Sequence, residues 1–389
     1  MNIQPSNRIK NLSSYAFADV DNEVKKLEQL GIAPIDFGVG DPKEPTPAII
    51  RNYCKRAIDK RKSAGYPAYE GSKDYREEIA KWCKERFNIN LNPEKEIAAT
   101  IGAKEAVFNF PEAFVNPGDI VLMPNPGYPP YERGTIFAEG KPYFLPLKKE
   151  NSFLPKLEEI PADIVKKTKI LWINYPNNPT GALASKSFLK EVIDFGHDNN
   201  IIIASDECYS ELYFEEKPLS ILELSKQGII AIQSLSKRSS MTTYRVGWLM
   251  GDENIINSFK KLKTNIDSGT PTFIQDAAIA ALSDESHVKS AREDYKKKRD
   301  ILADAFTSIG LEDCKPKAAI YIWQKVPGKS VDFAKKLLQK DIAVVTTPGT
   351  WISNTVDNFN PGEGYIRLAL VPTISECKKA GEKIRKLKP

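Results

Sequence analysis

The chain has 389 residues, 41% apolar and 28% charged, enough for a substantial core and most naturally for two domains. Its 56 basic and 51 acidic residues leave a net charge of +5 spread along the length, so no basic stripe implies nucleic acid. Five scattered cysteines without a CxxC pair argue against a disulfide framework or zinc site, and two distant histidines argue against a multi-histidine metal centre. No apolar run approaches bilayer length and the first residues lack a signal-peptide core, so a soluble, cytoplasmic protein with no membrane partner is expected.

The amino-terminal segment carries a helical pattern from about Asp19 to Leu30 and a strand in APIDFGVG. TIGAKEAVFNF then places a glycine turn, Gly102 to Lys104, directly before a helix. Asp119 to Met123 reads as a strand closed by Pro124, followed by KPYFLPL, KILWINYPNNPTG, a helix from about Ser185 to His197, IIIASDECYS and GIIAIQSLSKR. Strands that are apolar throughout and separated by helices predict an α/β fold, a mostly parallel sheet covered on both faces.

From Pro271 a long helical pattern, QDAAIAALSDESHVKSAREDYKKKRDILADAF, precedes the strands AIYIWQKV and YIRLALV, which suggests a smaller α+β domain. The expected division is a large domain over residues 45–270, inserted between residues 1–44 and 271–389 of the small one. His197 and His287 read as surface or helix-end residues, and neither has a GxSxG-type nucleophile motif in support.

In open sheets of this kind ligands gather outside the carboxyl ends of the strands. The polar residues after the apolar runs are Asn174 to Gly181, Asp206 to Tyr209, and Ser234 to Lys237. A lysine after a strand is usually a solvated charge. This one shares its sequence neighbourhood with an acid after IIIAS (Asp206), hydroxyl and amide donors (Tyr209, Asn178), and phosphate-binding chemistry in the Gly102 turn, Ser234 and Arg245. Arg367, inside the apolar strand YIRLALV, is either an edge residue facing solvent or a carboxylate clamp turned into a cleft.

Together YPAYEG, IGAKEA, NPGYPPY, NYPNNPTG, SDECY, SLSKRSSMTTYRVG and YIRLALV resemble, in order, the fold-type I pyridoxal-phosphate enzymes, in particular the class I/II aminotransferases. The resemblance implies pyridoxal 5'-phosphate as cofactor and Lys237 as its Schiff-base lysine and proton carrier. Asp206 would be the partner of the pyridine nitrogen, Tyr209 and Asn178 the donors to the phenolic oxygen, and Tyr128 the aromatic stacked on the ring. Ser234, Arg245 and the amides at Gly102, Ala103 and Lys104 would hold the phosphate, and Tyr66 would reach the phosphate in the other subunit of a homodimer. Arg367 would take the α-carboxylate, with Gly40 and Asn178 lining the same pocket.

GDPKEPTPAII, SLSKRSS and NPGEGYIRLALV are similar to the N-succinyl-diaminopimelate aminotransferases of lysine biosynthesis, so the expected reaction transfers an amino group from that substrate to 2-oxoglutarate. Aspartate, alanine and LL-diaminopimelate aminotransferases are the nearest alternatives, and a carbon–sulfur β-lyase is a further one. A regulator with an aminotransferase-like sensing domain is not expected, because only about forty residues precede the aspartate of GVGDP, too few for a DNA-binding domain and linker.

Overall fold

The computed structural model describes residue 1, residues 3–10, residue 12 and residues 18–387. After β1 (Ile35–Asp36), seven strands follow: β2 (Ile97–Thr100), β3 (Ile120–Asn125), β4 (Lys141–Pro146), β5 (Thr168–Asn174), β6 (Ile202–Asp206), β7 (Ile229–Ser234) and β8 (Gly247–Gly251). They form one sheet in the order β2-β8-β7-β6-β5-β3-β4, parallel except for β8, which runs against both neighbours. The mostly parallel α/β sheet expected from the strand pattern is the one observed.

Its strands are apolar at nearly every position because both faces are covered. Ile120 and Leu122, Leu171 and Ile173, and Trp248 and Met250 point into one core; Val121 and Met123, Ile170 and Trp172, and Leu249 point into another. Alternation of side chains across a strand thus feeds two cores at once. Trp248, fully buried, meets Trp82 edge to face at 5.5 Å, a geometry that aromatic quadrupoles favour.

Two expectations change in detail. Pro124 does not close its strand: β3 runs on to Asn125. Pairing with β5 ends at Leu122 while pairing with β4 continues to Asn125, so one side of the strand is already free of ladder bonds where proline lacks its N–H. The long helical pattern after Pro271 is two helices, Thr272–Leu282 and Ser286–Ser308. Asp284 interrupts it by accepting from the backbone N–H and hydroxyl of Ser286, the local competition that makes Ser-Asp pairs poor helix interior. Ala277, Ala278 and Ala281 of the first helix lie in the sheet's core, ahead of the 283–285 turn.

Beyond that turn, β9 (Tyr321–Lys325), β10 (Val344–Val345), β11 (Thr347–Pro348) and β12 (Tyr365–Ala369) complete the smaller unit. β12 lies between β11 and β9 in an antiparallel sheet, and β10 pairs in parallel with β1. Near the amino terminus, Leu27 meets Leu338, Ala343 and Val345. No helix among the described residues is long and apolar enough to cross a membrane.

One buried acid of the sheet has a pH signature. Glu207, one residue past β6, is 1% exposed and accepts from the Ser205 hydroxyl and the Ile221 amide; burial pushes its carboxyl up to about 7 from 4.5. Between those values the folded state holds a proton that the unfolded state has released, so this group's contribution to stability is complete below about 4.5 and is lost as pH rises toward about 7. Urea midpoints of wild type should therefore fall over that window relative to those of Glu207→Gln, and parallel pH profiles would refute the assignment.

Candidate active site

Parallel register brings the carboxyl ends of β5, β6 and β7 side by side, with Asn174 paired to Asp206 and Ser234 closing β7. Past this edge lies a cavity of about 720 Å³ between the large sheet and the β9/β12 unit. Lys237, Asp206, Asn178, Tyr209, Ser234, Arg245 and Arg367 all line it, although they are spread over 190 positions of sequence (178 to 367).

Asp206 forms the floor. It is 5% exposed, its Oδ2 accepts from Tyr131 Oη at 2.7 Å and its Oδ1 from the Cys208 amide at 3.2 Å, and it forms no ion pair among the described residues. Burial pushes its carboxyl up, opposed by those hydrogen bonds. An acid at this position is thus set to pair with a cation supplied from the cavity.

Lys237 sits on a single helical turn, Leu235–Arg238, capped by the Ser234 hydroxyl on the Ser236 amide. Its Nζ donates to the carbonyl of Gly40. Gly40 has no room for a side chain, since a Cβ there would strike the Tyr321 ring, which lets the backbone pass close enough to meet the lysine. Neighbouring Arg238 turns the other way, donating to the Ala281 carbonyl at 2.8 Å. Of two adjacent cations, only Lys237 serves the cavity.

Arg367 is not an edge residue facing solvent. β12 is the middle strand of its sheet, and the guanidinium is buried over the Tyr321 ring, 4.8 Å from its centroid. Nη1 donates to Asn178 Oδ1 at 3.1 Å and Nη2 to the Gly38 carbonyl at 2.9 Å, while Nε is buried without a partner. An orphaned buried donor costs about 1–3 kcal/mol unless something from the cavity accepts it.

The third group forms a cup. Gly102 has φ +71° and a Cβ on it would lie 2.5 Å from Arg245 Nη2, so only glycine leaves space between this turn and the guanidinium. Ala103 and Lys104 open the following helix, where backbone amides lack intrahelical acceptors. Arg245 is exposed, anchored at 2.8 Å to the Thr242 carbonyl. Tyr128 caps the Pro129–Phe137 helix at the same cavity, its hydroxyl raised by burial and by Asp206. Two expected site residues do not line the cavity: Gly102, which lies behind Arg245, and Tyr66, which is 92% exposed.

Sequence reasoning missed the groups that hold these residues in place. Tyr131 stacks on Trp172 at 5.0 Å and delivers its hydroxyl to Asp206. Asn174 bonds the Asp206 carbonyl and the Asn178 amide, joining two strand ends. Tyr321 meets Tyr209 hydroxyl to hydroxyl at 3.0 Å. Only Asn174 carried a signal, as a polar residue ending an apolar strand. The two tyrosines look like ordinary core aromatics.

These features fit pyridoxal 5'-phosphate: a buried acid for a pyridinium nitrogen, a cationic glycine cup for a phosphate, and a lysine lining the same cavity. The Aminotransferase class I and II family model matches residues 32–384. A protein of Aquifex aeolicus named LL-diaminopimelate aminotransferase is 42% identical over 98% of this chain and 99% of its own length. The substrate-bound BacF structure from Bacillus subtilis is similar at a TM-score of 0.91 and 33% identity, covering 100% of this chain and 98% of that one. A probable N-succinyldiaminopimelate aminotransferase of Thermus thermophilus gives 0.88 and 26%, over 96% and 100%.

The cavity wall depends on a latch between the two units. Asn125 bonds both the carbonyl and the amide of Asn354 at 2.8 Å, and the Gly127 amide donates to Ile352 at 3.2 Å. Asn125→Ala should cost about 1–3 kcal/mol and speed amide exchange at residues 352–354. Unchanged exchange there would show that the latch does not hold the wall.

Proposed function

The chain belongs to the class I and II aminotransferases, which work with pyridoxal 5'-phosphate, and we propose that it moves an amino group between LL-diaminopimelate and 2-oxoglutarate. The observation supporting this substrate is the full-length similarity to a relative so named. It favours the free diamine over the N-succinyl form expected from the resemblance of NPGEGYIRLALV. The N-succinyl form stays as the second reading because of the Thermus thermophilus structure.

In this reading each cavity residue has a role. The cofactor, when bound, supplies an electron-accepting ring. Asp206 holds a proton at the ring nitrogen, its carboxylate kept anionic by the cation that its burial otherwise lacks. Asn178 and Tyr209 donate to the phenolic oxygen, and Tyr128 covers the ring. Ser234 Oγ, Arg245 and the amides of Ala103 and Lys104 hold the phosphate. Arg367 takes the substrate's α-carboxylate with the help of its spare Nε, and Gly40 keeps that space open.

Lys237 moves the proton. Its Nζ lies on the Gly40 side of the cavity, which Arg367 also lines and where that arginine would hold the substrate's carboxylate. From there Lys237 carries the proton off the α-carbon and later returns one, and the buried walls keep bulk water out. Tyr66 has its side chain free at the surface, which supports a homodimer in which it reaches the phosphate of the partner's cofactor.

Lys237→Ala should lower turnover by about 10³-fold or more. Arg245→Gln should weaken pyridoxal phosphate binding in equilibrium dialysis, a readout independent of turnover; unchanged binding would remove Arg245 from the phosphate site. Rates with LL-diaminopimelate, N-succinyl-LL-diaminopimelate, aspartate and alanine decide the donor. A preference for LL-diaminopimelate is expected, preference for the succinylated donor selects the second reading, and pyruvate release from cystathionine without an oxo acid would indicate a lyase.

A further inference from the structure

Diaminopimelate is two amino-acid ends joined by three methylenes, so a site that recognises it needs an apolar passage and a second anion-binding group. Among the cations lining the cavity, Lys237, Arg245 and Arg367 already have carbonyl or side-chain partners. Lys104 opens the helix beside the Gly102 cup. Like Lys104, whose place beside the cup assigns it to the phosphate end, Arg133 lines the cavity with no side-chain hydrogen bond or ion pair among the described residues. Its neighbour Glu132 turns toward Asn354 Nδ2, 3.5 Å away, and so does not neutralise it.

Arg133 also lies at the correct end. It stands four residues after Pro129 on the Pro129–Phe137 helix, and both line the cavity on one helix face. Side chains on a helix lean toward its amino terminus, which here carries Tyr128. A smaller adjoining space shares Gly127, Tyr128, Arg133, Trp351 and Ile352 with the main cavity, but neither Lys104, Ser234 nor Arg245 of the cup. Arg133 is therefore on the side of the ring-covering tyrosine away from the phosphate, across from the Trp351–Ile352 segment that Asn125 latches in place.

We propose that Arg133 is a specificity-determining residue that binds the far carboxylate of the amino donor, with Trp351 and Ile352 walling the methylene chain that leads to it. The assignment rests on the reading of diaminopimelate as donor. With the α-carboxylate on Arg367, the chain runs along apolar surface and ends at a guanidinium that has nothing else to bind, whose planar fork suits a carboxylate. Because Arg133 is exposed and unpaired, its replacement leaves no buried group without a partner, and the fold should tolerate it.

The test is Arg133→Met in the holoenzyme. KM for LL-diaminopimelate should rise on the order of 10- to 100-fold with kcat nearly unchanged, as expected for loss of a charge-assisted contact made equally in ground and transition states. Arg133→Lys should restore part of the loss. An unchanged KM, or a fall in kcat alone, overturns the proposal. If wild type fails to turn over LL-diaminopimelate, the donor reading has failed, and calorimetry with pimelate still decides Arg133. At least tenfold weaker pimelate binding by Arg133→Met supports it; equal affinity, or no binding by wild type, overturns it.

Discussion

A carboxylate buried without a cation is the constraint on which the site depends. Asp206 reaches its position because β6 is covered on both faces, and it stays there through Tyr131 and the Cys208 amide. Burial alone would drive it toward its neutral form. A positively charged ring nitrogen reverses that tendency, and the same desolvation that makes the acid costly then makes the pairing strong. In the proposed reading the fold holds an incomplete ion pair at the edge of its sheet, which the cofactor of its family would complete.

The other groups are fixed relative to that acid by shared geometry. Asn174 ties the end of β5 to β6 and aims Asn178; Ser234 ends β7 and begins the turn that carries Lys237. Arg367 enters from the smaller sheet and reaches Asn178 and Gly38, so the proposed carboxylate clamp joins both units. The opposite wall is the Asn125–Asn354 latch. In the proposed reading, substrate selection belongs to that wall and reaction type to the strand ends.

Much of this was legible in the sequence, for physical reasons. Parallel strands buried on both faces must be largely apolar until they reach their carboxyl ends, so Asn174, Asp206 and Ser234 stood out among the polar residues that end each run. Gly102 and Arg367 were visible as a glycine before a helix and a charge inside an apolar strand. Positions set by tertiary contact were not legible. Tyr131 and Tyr321 act through hydroxyl groups that meet partners far away in sequence, and the helix break at 283–285 depends on one side chain. Pro124 was misread because nothing local indicates that one side of β3 has lost its neighbour. Arg133 carries no sign at all in the sequence, since an exposed arginine on a helix is ordinary until the cavity beside it is seen.

The central claim is that Asp206 holds a proton on the cofactor's ring nitrogen, and the most direct measurement is the nitrogen-15 chemical shift of labelled pyridoxal phosphate in the holoenzyme at pH 8. A protonated nitrogen in wild type and an unprotonated one in Asp206→Ala is the predicted result. An unprotonated nitrogen in wild type, or the same state in both proteins, would contradict it.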